Sequence, residues 1–110
     1  MVELHVRKDS RQRLSSFYAT GHAGWAESGE DIVCAAVSAV LQAAWLGLAE
    51  VRRIDVVGNR SGSRLDLSWP TNARDDVGAQ AIVATAVLSV ERLAMQFPDH
   101  VRVFIETADG

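Results

Sequence analysis

A thiol, an imidazole and a carboxylate share one short stretch, "GHAGWAESGEDIVCAAVSAVLQAA" at residues 21–44. Cys34 is the single cysteine of the chain; His22 stands twelve positions before it and Asp31 three. A thiol becomes a strong nucleophile near neutral pH when a base takes its proton, and imidazole is the side chain whose pKa suits that task. The chemistry in reach is therefore nucleophilic catalysis by an activated thiol. Asp31 has two readings. Beside the thiol its charge disfavours thiolate; as an N-cap its carboxylate is engaged by backbone N–H groups instead. The three residues together match no common zinc-ligand spacing, so neither a metal nor a cofactor is expected. On residue types alone, Cys34 remains either an activated nucleophile or an inert packed thiol.

The elements around these residues decide how they meet. Glycines at 21, 24 and 29 let the loop between His22 and Cys34 fold tightly. Trp25 either contacts a substrate or anchors that loop, and Glu27 and Glu30 read as solvated charges. A helix beginning near Asp31 puts Cys34 in its first turn, where unpaired N–H groups and the helix dipole favour thiolate. At helical spacing Asp31, Cys34, Ser38 and Gln42 fall in one sector of about 80°. The remainder is apolar all round, which predicts a central core helix. No charge occurs from Ile32 to Ala49, about the length of a membrane span. Cys34, Ser38, Gln42 and Gly47 interrupt that run and amphipathic strands flank it, so the reading is a buried helix and no membrane.

"VELHVR" alternates as a half-buried strand, "KDSRQ" turns, and "RLSSFYATG" returns as the second arm of a hairpin. "RRIDVV" and "RLDLSW" predict two more strands around a "GNRSG" turn, with Leu65, Leu67 and Trp69 on one face. "PTNARDD" opens a long helix through Phe97, with acidic residues in its first turn, and Pro98 ends it. "VRVFIE" closes the chain as a strand with Val101, Val103 and Ile105 on one side. His5, on a polar strand face, and His100, after a helix end, read as surface residues. The order strand-strand-helix-strand-strand-helix-strand predicts an α/β fold of the α+β type, a mixed or largely antiparallel sheet with two helices.

The 110 residues form one domain, 1–110, long enough for a real core. A net charge of −3 leaves no basic footprint for phosphates, so no nucleic acid is expected as a direct partner. "MVELHVRKDS" has no apolar core of a signal peptide, so the expected compartment is cytoplasmic.

Gly21-His22-Ala23, Gly29, Asp31, Val33-Cys34-Ala35-Ala36 and Ser38 resemble the motif of the bacterial ribosomal-processing cysteine protease family, Prp. The resemblance extends over nearly the whole chain, including "LSVERLAMQFPDHVRV" as second helix and final strand. It implies an endopeptidase that removes an N-terminal extension from a large-subunit ribosomal protein precursor, cutting after an aromatic residue. It further implies Cys34 as nucleophile, His22 as general base, and Gly21, Ala23, Gly29, Asp31 and Ser38 as site-shaping residues. A homodimer is implied as well. The rival is a non-catalytic, ribosome-associated binding module with Cys34 merely packed.

Overall fold

A computed structural model describes residues 1–21 and 30–107. Five strands and two helices follow the expected order: β1 Val2–Lys8, β2 Leu14–Thr20, α1 Glu30–Leu46, β3 Val57–Ser61, β4 Arg64–Ser68, α2 Val77–Gln96 and β5 Val101–Thr107. One mixed sheet runs β3-β4-β2-β1-β5, antiparallel except where β5 pairs with β1. β3 and β5 are its edges.

Alternation decides which face is covered. Val2, Leu4 and Val6 of β1, Phe17 and Ala19 of β2, Leu65 and Leu67 of β4 and Val101 of β5 are all buried. They form one core with Val33, Val37 and Leu41 of α1 and Ala79, Val83, Val87 and Val90 of α2. Each large aliphatic side chain buried this way contributes about 1.5–3 kcal/mol. Among the described residues no helix covers the opposite face. There His5 stacks between Tyr18 and Phe104 at centroid distances of 4.5 and 4.7 Å. Arg64 covers the Tyr18 ring at 4.1 Å. His5 is thus held in a ring stack, not a plain surface residue as its strand position suggested.

The structure corrects three other expectations. The β-branched run "RRIDVV" is not a strand: α1 continues through a π-helical turn, Gly47–Val51, and the chain reverses at Arg53 with φ 57°. Ile54 and Val56 pack against the core without a strand partner, and pairing begins only at Val57. The hairpin turn is Gly62-Ser63, with Gly62 at φ 56°, so most of "GNRSG" is strand. Second, "PTNARDD" does not open the α-helix. Thr71–Ala73 is a separate 3-10 turn, and α2 starts at Val77. Asp76 is its N-cap, accepting from the Ala79 N–H at 2.8 Å. Third, α1 is not buried all round: Ile32 and Leu46 are exposed while Val37 and Leu41 are buried. Ile105 shares the sheet face of Val101 and Val103 and lies beside Val6, as its alternation predicts, but it is exposed where they are covered. Both helices are long and apolar enough to cross a membrane, yet each turns one face onto the sheet.

Polar ties fix the sheet to its helices. Asp9, 2% exposed, accepts from the Arg11 and Arg13 N–H groups and from the Arg13 and Arg74 guanidiniums. Gln80 exchanges both amide bonds with the Leu14 backbone, at 3.0 and 2.9 Å, docking α2 on the start of β2. Arg52 binds Asp76 with two bonds, at 2.9 and 2.6 Å, joining the end of the α1 segment to the start of α2. Burial pushes the Asp9 carboxyl up, but the backbone N–H groups and guanidiniums outweigh it and leave its pKa below the ordinary value. The Arg52 guanidinium, with the Ala79 N–H, holds Asp76 down at about 2.

Both carboxylates bind protons less readily folded than unfolded, where aspartate titrates at about 3.9. Their stabilisation is therefore complete above about pH 5 and lost as pH falls toward 2. Asp9→Asn should lower Tm by roughly 5–15 °C at pH 7 and make Tm depend less on pH between 5 and 3. Thermal melts across that range test it; an unchanged acid slope would remove Asp9 from this role.

Candidate active site

Cys34 is the fifth residue of α1 and 8% exposed, between Val33 and Val37, which face the core. Because α1 begins at Glu30, Cys34 opens the second turn, one residue later than the sequence suggested. Helical Cα–Cβ bonds tilt toward the N-terminus, so its side chain lies over the first turn, whose N–H groups have no intrahelical partner. A nucleophile there has backbone donors within reach for a developing oxyanion. Asp31 belongs by its backbone to that first turn and not to the cap position.

Ser38 lies one turn beyond Cys34 on the same face and is buried at 7%. Its hydroxyl accepts from the Gln42 amide at 2.7 Å. The polar stripe read from the sequence is thus real for Cys34, Ser38 and Gln42, running from buried to exposed along α1. At 100° per residue the core residues Val33, Val37, Leu41 and Ala44 centre on one direction, and the stripe is one flank of it. Val40 and Ala43 form the other flank, toward α2.

Gly21 follows the last residue of β2 with φ 90°, a conformation L side chains rarely adopt. A Cβ there would collide with the Met1 carbonyl oxygen, so β2 can leave the sheet across the start of β1 only with glycine at this position. Of the other expected site residues, His22, Ala23 and Gly29, and the side chain of Asp31, lie outside the described residues. Among the described residues no cluster of three or more His, Cys, Asp or Glu can hold a metal.

Sequence reasoning missed a group beside the stripe. Trp45 packs so closely over β3 that a Cβ on Gly58 would strike its ring. Gln42, Trp45 and Leu46 of α1 then meet Arg60 and Leu65 around a pocket of about 190 Å³. Only Gln42, already in the polar sector, gave a signal. The rest meet because α1 crosses the β3–β4 hairpin, a long-range contact that no local pattern encodes.

The family model described as cysteine protease Prp matches residues 1–102. The ribosomal processing cysteine protease Prp of Bacillus subtilis is 29% identical over 108 residues, 94% of this chain and 96% of that protein. A crystal structure from Streptococcus mutans superposes with a TM-score of 0.89 at 26% identity, covering 98% of this chain and 99% of that one. The Prp protease of S. aureus, solved in complex with a substrate peptide, shares the fold at a TM-score of 0.85 and 21% identity, covering 96% and 99%.

Gly21→Ala should destabilise the domain by about 2–4 kcal/mol, through both the positive φ and the collision with Met1. Chemical denaturation of the variant measures it, and a loss under about 0.5 kcal/mol would contradict the geometry at this position.

Proposed function

Because this chain belongs to the cysteine protease Prp family and is a peptide hydrolase, we propose that it removes an N-terminal extension from a large-subunit ribosomal protein precursor. The observation that carries this reading is Cys34 near the N-terminus of α1 in a chain that matches the family over residues 1–102. The Bacillus subtilis relative is named a ribosomal processing protease, and the S. aureus protein binds a substrate peptide; both support a peptide substrate of ribosomal origin.

The reaction is acyl transfer by a Cys34–His22 dyad. His22 holds the thiol proton, and the thiolate attacks the scissile carbonyl carbon. The N–H groups of the first turn of α1 receive the negative charge that develops on oxygen. Imidazolium then gives its proton to the departing amine as the C–N bond breaks, leaving a thioester. Water attacks the thioester while His22 takes its proton, the C–S bond breaks, and the carboxylate product departs. Asp31 and Ser38 shape the nucleophile's surroundings, and Gly21, Ala23 and Gly29 frame the histidine. The chemistry requires no cofactor. A ribosomal substrate places the enzyme in the cytoplasm.

The enzyme acts as a homodimer joined through its helical face. A groove of about 440 Å³ between α1 and α2 is lined by small residues, among them Ala43, Ala81 and Thr85. Along α2, Val77, Leu88 and Met95 are exposed. Exposed apolar side chains along one helix, beside a groove lined by small residues, suit an interface between two copies.

Incubating the host's precursor with the enzyme, Cys34→Ala and His22→Ala, and mapping products by mass spectrometry, tests the reaction. A single cut at the end of the extension is expected, slowed by about three orders of magnitude or more in each variant. A cut that survives Cys34→Ala would overturn it. For the dimer, Leu88→Glu should shift sedimentation from dimer to monomer, and an unchanged native-size species would move the interface elsewhere.

A further inference from the structure

We propose that the pocket between α1 and the β3 edge is a specificity subsite of the protease, taking one apolar side chain three to four residues from the scissile bond. The inference rests on the proteolytic reading and adds where the peptide runs. Cys34, Ser38 and Gln42 are spaced four residues apart on one flank of α1, and Gln42 is a lining residue of the pocket. Eight helical residues span about 12 Å, and an extended chain advances about 3.3 Å per residue. A peptide bond held at Cys34, with its chain following the stripe, therefore reaches the pocket after three to four residues.

The pocket fits that occupant. Its walls are the Trp45 ring, Leu46 and Leu65, and its volume of about 190 Å³ exceeds the ~150 Å³ in which a benzene ring can be held. Among the described residues the strand beside it is an edge: β3 pairs only with β4, and all five of its residues are exposed. Its outer row of N–H and C=O groups is available to an extended chain. Arg60 turns toward the helices because it pairs with Leu65, and among the described residues its guanidinium has no hydrogen bond or ion pair. At the rim it can donate to peptide carbonyls. The groove between α1 and α2 lies on the opposite flank of α1, so a peptide here and a second protomer there do not compete.

The test measures binding and cleavage separately. Twelve-residue peptides spanning the junction of extension and mature ribosomal protein are made with aspartate at each of the third and fourth positions on either side of the cut. Affinity is measured on Cys34→Ala, alone and combined with Leu46→Asp or Arg60→Ala, and cleavage on the enzyme with Cys34 intact. Leu46 is 55% exposed, so its replacement should leave the fold in place. On one side of the cut, aspartate should weaken binding roughly tenfold to a hundredfold, as expected for losing one buried aliphatic side chain. The same aspartate should matter less than about threefold once Leu46→Asp has spoiled the pocket. Peptides equally affected by Leu46→Asp at every position, or unaffected, would overturn the subsite. Cleavage that ignores the pocket leaves the protease reading standing and the subsite refuted. Pocket-dependent binding without cleavage does the reverse, and a peptide neither bound nor cut refutes both.

Discussion

Three aliphatic side chains, Val33, Val37 and Leu41, are buried on the sheet, and the rest of α1 is placed by them. A helix cannot rotate about its axis without lifting that row out of the core, at a cost of several kcal/mol. With the row held in the core, the 3.6-residue period leaves no choice for the neighbouring positions. Cys34 and Ser38 fall at the margin of the buried face, Gln42 beyond it in solvent, and Val40 and Ala43 on the α2 side. The nucleophile is thus fixed by the same contacts that hold the domain together, an arrangement suited to chemistry that tolerates little displacement.

The sheet in turn must present a surface that α1 can cover only one way. Its two helix-facing ends are tied by different chemistry. At the β1–β2 turn Asp9 gathers four donors from Arg11, Arg13 and Arg74. Trp69, just past β4, donates its indole N–H to the Leu14 carbonyl at 2.9 Å, the same oxygen that Gln80 of α2 reaches. These bonds join the strand pair, the β4 exit and α2 far from Cys34. The other end carries Gly21, the hairpin turn at Gly62 and the start of α1.

Much of this was legible in order along the chain. Alternation in "VELHVR" and "RLDLSW" marked strands and their buried faces, since period two survives whatever the sheet topology. Pro98 marked the end of α2. The Cys34–Ser38–Gln42 stripe was visible because helical spacing alone aligns those side chains. Errors arose where a local signal lacked its partner. Ile54, Val56 and Val57 look like strand, yet only Val57 meets β4. The acids before α2 look like a first turn, yet Asp76 caps the helix and Asp75 binds Arg13 at 3.1 Å. His5 looks like a surface residue because neither Tyr18 nor Phe104 is near it in sequence.

By itself, then, the sequence determined the element types, the covered face of the sheet, the polar flank of the first helix and the family to which its motif belongs. Each of these depends on spacing within a few residues or on a motif read directly. The strand order β3-β4-β2-β1-β5, the pocket that Trp45 and Leu46 form with Arg60 and Leu65, and the Asp9 cluster were decided only by tertiary structure. Each depends on residues far apart in the chain, and what selects among the possible pairings is the burial of the whole apolar face at once, a property no single segment carries.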